Sequence, residues 1–541
     1  MIGRSCEKPY FAIVHPHAFK AEIRIVFLLA AGLRSLSADP PDTNKQWAAE
    51  QEAASQAAKR SDLADAERHE LLALRLAETF GPNNMRLETS LTGYGALLQR
   101  LSRYADAKKT LESALAIREA VFDPKSLEVA FAKNNLGAAC QELGELERAR
   151  SLYSDALAIA EHKLGPADPR LAPYLVHMAS LLRLTASYAA AEQMLNRALV
   201  VAPDDAKARI LTQMGRIYVS EGRLRKAEEA YNQALSLYET AGNLQTLDGA
   251  SVLSNLGDLF SAQGLYQKAI AVLGRAQNIC ASTHTMGTIG CLTTLSNLAS
   301  AEQGAGNFAG AEELYRRCLE SELAAFGRNH SLTAATLNNL GEFYLMRGRY
   351  KEAEENLSQA RDIWKTTVGP TNPDYATALT NLGSVYALQH KYKKSEPLYR
   401  EAAEIDGANP AAGLHRFARD LNGLGVALFA QKRYPESEEL FRRALQAESA
   451  RQELGGAASD STLNLASAIA AQGRRDEALP LYRQGIAMLA DRGLNDTPQM
   501  ASALDNYSSL LRQLEQYADA EKASTEALGI RVRQAIREEN N

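Results

Sequence analysis

The sequence predicts an all-α solenoid of about twelve helix–turn–helix repeats, and three observations lead to this fold class. Small residues recur at a nearly constant interval along most of the 541 residues. Ala, Leu, Glu and Arg dominate the composition, whereas alternating runs of Val, Ile and Thr, which favour strands, are scarce. Apolar residues recur at helical spacing within each repeat. Hydrophobic residues make up 46% of the chain and charged residues 23%, as expected of a folded protein.

One small residue near the middle of each predicted first helix marks the repeat, and we call it the anchor. The intervals between successive anchors are 41 or 42 residues, except for one of 36. The anchors are Ala54, Gly95, Gly137, Ala179, Gly215, Gly257, Ala299, Gly341, Gly383, Gly425, Ala466 and Ser508. A second small residue follows each anchor by twelve positions, as Ala353 follows Gly341. This regularity predicts one repeating unit in place of several unrelated domains.

The repeat around Gly341 shows why such a unit folds only in an array. Leu337, Leu340 and Tyr344 form an apolar stripe at helical spacing. A glycine inside a helix costs about 1 kcal/mol relative to alanine, so its recurrence indicates that two antiparallel helices approach closely at Gly341 and Ala353. A single helix pair cannot bury its stripe, and stacking on the neighbouring pairs completes the core.

These features resemble the tetratricopeptide repeat. The anchor, the aromatic residue three positions later and the alanines at twelve and nineteen carry the resemblance, most clearly in residues 337–353 and 379–392. The 42-residue period and the turns at 326–330 and 368–373 are similar to those of kinesin light chains and of many bacterial repeat proteins. The resemblance covers about residues 45–535. It implies a right-handed superhelix whose concave groove holds a protein or an extended peptide.

Residues 1–44 differ from the repeats that follow. Lys20 and Arg24 precede an apolar run at 25–33, and small residues follow it. This order is typical of a secretory signal, which predicts export to the periplasm or the medium. A disordered tail on a cytoplasmic protein is the alternative. The run is too short to span a bilayer, which needs about 20 apolar residues, so no integral membrane span is expected.

Residues 45–541 are predicted to form the solenoid with a terminal capping helix. The charged residues at the end of that helix indicate the cap: Arg533, Arg537, Glu538 and Glu539.

The predicted groove is lined by the side of each first helix that faces away from the buried stripe. At about 100° per residue, the positions two before, one after and five after the anchor lie on that side. Seven of the twelve repeats carry asparagine two before the anchor, and we call these residues the asparagine ladder: Asn135, Asn255, Asn297, Asn339, Asn381, Asn464 and Asn506. The resemblance implies that their carboxamides bind the backbone of an extended peptide. Bonding to the adjacent helix, or simple inheritance from one duplicated unit, is the alternative.

A modest basic cluster, Arg183, Arg209 and Arg216, lies near the short 36-residue interval. Guanidinium groups bind carboxylates well, so the cluster is a candidate site for an acidic side chain or a C-terminal carboxylate of the partner. A solvated helix face is the alternative.

The sequence lacks the motifs that catalysis or the binding of a cofactor, metal or nucleic acid would require. No nucleotide-binding loop, zinc-protease, hydrolase or calcium motif occurs, so we expect no enzyme, cofactor or metal. A net charge of −5 with evenly spread Lys and Arg argues against nucleic acid. The five cysteines contain no C-x-x-C pair. Cys280 and Cys291 flank one predicted turn, where they are either buried thiols or, in an exported chain, a disulfide.

The sequence therefore predicts a monomeric, non-catalytic adaptor that holds an extended segment of a protein partner in its concave groove. The alternative is a structural scaffold of a cell-envelope or multiprotein assembly, which would use the convex face and the repeat ends.

Overall fold

The computed structural model describes residues 41–60, 62–283, 285–408, 410–449 and 458–539. Within these ranges the chain forms 24 α-helices and one short 3₁₀ helix at Pro169–Leu171, with no strand. In chain order, each described helix that carries an anchor is followed by one that does not. The prediction of an all-α chain of helix–turn–helix repeats is therefore confirmed, while the exact number of repeats and the handedness of the superhelix stay predictions. The apolar run at 25–33 lies outside the described residues.

The first helix of each pair carries the anchor. These first helices are α1 (Pro41–Lys59), α3 (Met85–Arg100), α5 (Leu127–Glu142), α7 (Ala172–Leu184), α9 (Asp204–Glu221), α11 (Leu247–Ala262), α13 (Ile289–Gly304), α15 (Ser331–Met346), α17 (Pro373–Leu388), α19 (Pro410–Ala430), α21 (Ala458–Ala471) and α23 (Pro498–Gln513). The second helices are α2 (Leu63–Glu78), α4 (Tyr104–Val121), α6 (Leu146–Leu164), α8 (Tyr188–Val201), α10 (Leu224–Thr240), α12 (Tyr266–Ser282), α14 (Phe308–Phe326), α16 (Tyr350–Thr367), α18 (Tyr392–Ala408), α20 (Tyr434–Ser449), α22 (Arg475–Asp491) and α24 (Tyr517–Glu539).

The turn inside a pair uses the same backbone geometry from the second pair onward. The residue seven positions after the anchor has a positive φ in each of these pairs, for example +74° at Gly144 and +71° at Gly348. Such a left-handed residue ends a helix and reverses the chain within a few residues. Five pairs use a residue other than glycine there: Ser102, Ala186, His390, Lys432 and Glu515. The turn geometry is therefore set by the whole pair and not by glycine alone.

The anchor is small because a large side chain lies directly against it. A Cβ atom on Gly137 would be 2.7 Å from Tyr153 Cε1, and one on Gly425 would be 2.5 Å from Phe441 Cε1. Both large residues follow their anchor by sixteen positions and are almost fully buried. The predicted close approach at position twelve is also present, since Ser437 Oγ donates to the carbonyl of Gly425 at 2.9 Å. The large residue at sixteen is the partner that the sequence pattern did not identify.

Ion pairs recur between successive repeats at equivalent positions. Arg433 Nη1 donates to Glu396 Oε1 at 2.9 Å. Arg433 lies eight positions after its own anchor, and Glu396 lies thirteen positions after the previous anchor. The same two positions hold Glu145 and Lys108 with the charges exchanged, and their contact is 2.6 Å. Partly exposed pairs contribute about 0–1 kcal/mol each. Their recurrence with either polarity indicates that they help to set the register between repeats.

The described helices divide into two units, each treated by itself. The larger unit contains residues 41–343 and 359–372, and the smaller contains 344–358 and 373–539. Within the larger unit, the chain returns to contact itself 230 residues later. The His330 ring nitrogen Nε2 lies 2.9 Å from the carbonyl oxygen of Arg100, and Asn372 Nδ2 donates to the carbonyl of Glu142 at 3.1 Å. Two contacts at the same interval show that this unit closes on itself after roughly five and a half repeats.

A disulfide joins Cys280 and Cys291 across the connection between α12 and α13. Both residues are buried. The structure thus selects the disulfide over the pair of buried thiols that the sequence also allowed. Cys140 and Cys318 are buried free thiols.

The packing of the anchor leads to a direct test with two alanine substitutions in one repeat. Gly257→Ala places a methyl group against the buried Leu273, so we expect a loss of about 1–3 kcal/mol from overpacking. Gly274→Ala in α12 meets no atom within 4 Å, so the better helix former should add about 1 kcal/mol. Urea titrations followed by circular dichroism measure both effects. Equal midpoints for the two variants would contradict this account of the anchor.

Candidate partner-binding groove

The first helices line the inner side of the curve within each unit. Successive first helices contact one another across repeats, as α11 does α13 and α17 does α19. Successive second helices contact one another far less among the described residues. Elements on the inside of a curved array crowd together while those on the outside spread apart. The candidate groove is therefore the inner face of the first helices.

Three members of the asparagine ladder bond to the preceding first helix. Asn297 Nδ2 donates to Ser254 Oγ at 3.3 Å, and Asn339 Nδ2 donates to Ser296 Oγ at 3.2 Å. In the smaller unit Asn464 Nδ2 donates to the Asn422 carboxamide at 3.0 Å. In each case the acceptor lies three positions before the preceding anchor. The alternative in which these amides bond to the adjacent helix is thus observed for at least three of the seven.

The remaining members differ in exposure. Asn135 and Asn381 are buried, at 6% and 4% exposure, whereas Asn255 is half-buried and Asn506 is exposed. A carboxamide has two N–H donors and an oxygen that accepts two hydrogen bonds. One bond to a neighbouring helix therefore leaves the half-buried amides with capacity for a partner. Contact between the ladder and a partner stays a prediction.

Histidine takes the place of asparagine in the fourth repeat. His177, two before the anchor Ala179, lies 2.7 Å from Asn134 through its Nδ1. Burial lowers the pKa of His177 to about 4, so the ring is neutral at pH 7 and accepts from the amide. The sequence pattern of asparagines does not include His177, although its position two before the anchor makes it equivalent to the ladder residues.

The groove serines one after the anchor are bonded inside their own repeat. The Ser384 hydroxyl lies 2.9 Å from the Tyr399 hydroxyl, and the Ser467 hydroxyl lies 2.8 Å from that of Tyr482. Both tyrosines occupy the position sixteen after the anchor. These hydroxyls orient the large residue that packs on the anchor, which the sequence analysis did not foresee.

The structure brings two of the three predicted arginines together. Burial, and then the charge of Arg216, lowers the pKa of Arg183 to about 9, so Arg183 is charged at neutral pH. Arg209 lies two helical turns, or about 10 Å, before Arg216 along α9. Burial raises the pKa of Tyr238 on α10, and the positive charge of Arg209 partly offsets this rise. The basic cluster is therefore a pair, Arg183 and Arg216, with Arg209 apart from it.

In the part of the chain that the structure describes, no cluster of three or more His, Cys, Asp or Glu side chains is suited to a metal ion. None of the described helices is long and apolar enough to cross a bilayer.

The solved structures to which this chain is similar align with less than half of its length. BtubC (BKLC) from P. vanneervenii is 24% identical over 42% of this chain and 91% of that chain, with a TM-score of 0.34. Two structures of a Podosopora anserina putative kinesin light chain with nearly identical TPR-like repeats are 22% and 21% identical. Both alignments cover 37% of this chain. They cover 96% and 95% of the other chains, with TM-scores of 0.33 and 0.32 respectively. At these TM-scores the similarities carry no argument about function.

No curated protein matches the chain. A model of the tetratricopeptide repeat matches residues 128–204, 174–240, 206–282, 290–363, 332–408 and 418–491. These matches cover well over half of the sequence. As its residues predicted, the chain belongs to the tetratricopeptide repeat family, whose repeats support protein–protein interaction and scaffolding.

Proposed function

We propose that the chain is a non-catalytic adaptor that holds an extended segment of a protein partner along the inner face of its first helices. The observation that carries the proposal is the placement of Asn255, Asn297 and Asn339 on three successive first helices of the larger unit. An extended backbone presents unpaired N–H and C=O groups, and a carboxamide can both donate to it and accept from it.

Neighbouring serines support this role by holding two of the amides in place. Ser254 fixes the orientation of Asn297, and Ser296 fixes that of Asn339. Side chains held before binding lose less rotamer freedom when the partner arrives, and this increases affinity. Carboxamides bond to backbone groups that every extended segment carries. We therefore expect the groove to recognise the partner's backbone more than its side chains.

The proposal involves a protein partner and requires no cofactor or nucleic acid. Tetratricopeptide repeat proteins typically act without catalysis. The even charge distribution offers no basic stripe for a phosphate backbone.

A scaffold that joins other proteins through a repeat end is the second candidate. Leu528 and Val532 lie four residues apart on α24 and are 59% and 50% exposed. Arg533 of the same helix donates through Nε to Asp496 Oδ1 at 2.8 Å, so it holds α24 in place. The side chains of Arg537, Glu538 and Glu539 lie outside the described residues.

We also propose that the protein is exported. The charged and apolar order of residues 20–38 supports a secretory signal. The disulfide between Cys280 and Cys291 supports the same compartment, because disulfides persist in oxidising environments and are rare in the cytosol.

Three alanine substitutions in the ladder test the proposed groove. Cross-linking in the native cells, followed by affinity purification of the full chain, first identifies the partner. Asn255→Ala, Asn297→Ala and Asn339→Ala together remove up to three amide contacts of about 0.5–1.5 kcal/mol each. Affinity should therefore fall roughly tenfold to a thousandfold, measured by calorimetry with the purified partner.

A matched triple variant on the second helices provides the control. Asn196, Asn232 and Asn278 are exposed on α8, α10 and α12, and their replacement by alanine should leave affinity unchanged. The control variant should keep the thermal midpoint of the original chain, since alanine is the better helix former. The ladder variant should melt slightly lower, because it also loses the bonds of Asn297 and Asn339 to the preceding first helix. Unchanged affinity in the ladder variant, or an equal loss in both, would reject the groove.

A further inference from the structure

The larger unit closes on itself at equivalent positions of successive repeats. His330 and Asn372 each lie eleven positions before an anchor. The carbonyls that they contact belong to Arg100 and Glu142, each five positions after an anchor. Because the second contact repeats the first one repeat further along the chain, the closure follows from the packing of the repeats.

The contact at His330 is buried and has a fixed orientation. His330 is 3% exposed, and its Nδ1 accepts a hydrogen bond from the backbone N–H of Leu332 at 3.1 Å. Burial lowers the pKa of His330 to about 4, so the imidazole is neutral at pH 7. Its single N–H proton is therefore on Nε2, which donates to the carbonyl of Arg100.

Apolar packing accompanies this hydrogen bond. Phe326 stacks on the imidazole of His330 with 4.4 Å between the centroids. It also packs against the buried cluster of the first two repeats that contains Leu63 and Leu97. On its other side it packs against the buried cluster that contains Leu332. One side chain thus joins the two ends of the closed array.

The contact at Asn372 is a close approach of two turns. Asn372 is 8% exposed, and a Cβ atom on Gly144 would lie 4.0 Å from its Cα. Both contacts thus involve turns and helix ends, whereas neighbouring repeats pack along whole helices. The closure can therefore open while every repeat stays packed on its neighbours, because small rotations between repeats add up along a solenoid.

Residues 97–330 form a ring whose inner side is the candidate groove. Three ladder residues lie on its first helices: Asn135, Asn255 and Asn297. Roughly five and a half first helices spaced about 10 Å apart give a circle about 17 Å across between helix axes. A helix with its side chains is about 10 Å thick, so the ring leaves room for one extended chain. A folded domain of roughly 100 residues, with a radius of gyration of about 13 Å, is too wide to pass.

We propose that these contacts form a clasp, which opens to admit a partner segment from the side and closes around it. The clasp consists of Phe326, His330, Asn372, Arg100, Glu142 and Gly144. The inference rests on the proposed function, because it describes how a segment reaches the inner face. A segment with folded domains at both ends needs the clasp to open, whereas a segment with a free end passes through the ring.

A disulfide across the second contact locks the clasp in the full chain. Gly144→Cys with Asn372→Cys brings two thiols within disulfide reach, since the two positions are in contact. Five other pairs carry a residue other than glycine at the turn position of Gly144, so cysteine is compatible with this turn. Mild oxidation should cross-link most of the molecules, and mass spectrometry measures the yield.

Two probes carry the segment that cross-linking of the full chain in its native cells identifies. One is the segment as a free linear peptide, and the other has a small folded carrier domain fused to each end. The disulfide should slow association of the flanked probe at least about tenfold, because the clasp cannot open, whereas the free peptide should keep its affinity. Oxidation after the flanked probe has bound should slow its dissociation at least about tenfold. Biolayer interferometry measures these rates.

Single-cysteine variants are the matched controls. Gly144→Cys alone and Asn372→Cys alone, oxidised in the same way, should bind the flanked probe at least as fast as the original chain. If the double variant fails to fold, His330→Ala with Asn372→Ala removes both hydrogen bonds of the clasp. That variant should bind the flanked probe several-fold faster, and an unchanged rate would reject the clasp.

Three results with the cysteine pair would overturn the inference. They are the absence of a cross-link in a folded double variant, unchanged association of the flanked probe with the locked chain, and loss of the free peptide's affinity on locking. The last result would mean that the disulfide distorts the inner face. Failure of the proposed function is distinguishable, because the ladder substitutions would then leave the affinity of the free peptide unchanged, whether the clasp is locked or not.

Discussion

The packing of one large side chain on one small anchor supports the rest of this structure. At six glycine anchors, a leucine, tyrosine or phenylalanine sixteen residues later lies where a Cβ would be, as Tyr153 does at Gly137. These anchors are Gly95, Gly137, Gly215, Gly257, Gly383 and Gly425. This contact fixes the distance between the two helices of a pair. With the left-handed residue seven after the anchor, it also fixes their antiparallel arrangement. The stacking of pairs, and the crowding of first helices on the inner side, follow from that common unit.

Polar side chains on the inner side perform two tasks. Asn297 and Asn339 bond to the serines of the preceding repeat, so they help to hold the first helices together. The proposed function assigns their remaining hydrogen-bonding capacity to the partner. Arg183 differs from these asparagines, because its Nη2 is buried without a hydrogen-bond partner among the described residues.

The sequence predicted the helices and the repeat because both depend on local spacing. Anchors at intervals close to 42 residues predicted the alternation of first and second helices that the described residues show. The bonds of Ser384 and Ser467 to tyrosines were missed, since they depend on the packing between the helices of a pair. His177 was missed because a different side chain occupies the asparagine position. The contact between His330 and Arg100 was not predictable, because it depends on how small rotations accumulate over several repeats.

Site-specific photo-cross-linking most directly tests whether partners bind the inner face. A photoreactive amino acid is placed singly at Asn255 on an inner face, at Asn232 on a second helix and at Val532 on α24, and cross-linked proteins are identified by mass spectrometry. The account predicts that the Asn255 position captures a protein partner through an extended segment and that the Asn232 position captures none. Cross-links only from Asn232 or Val532 would contradict it.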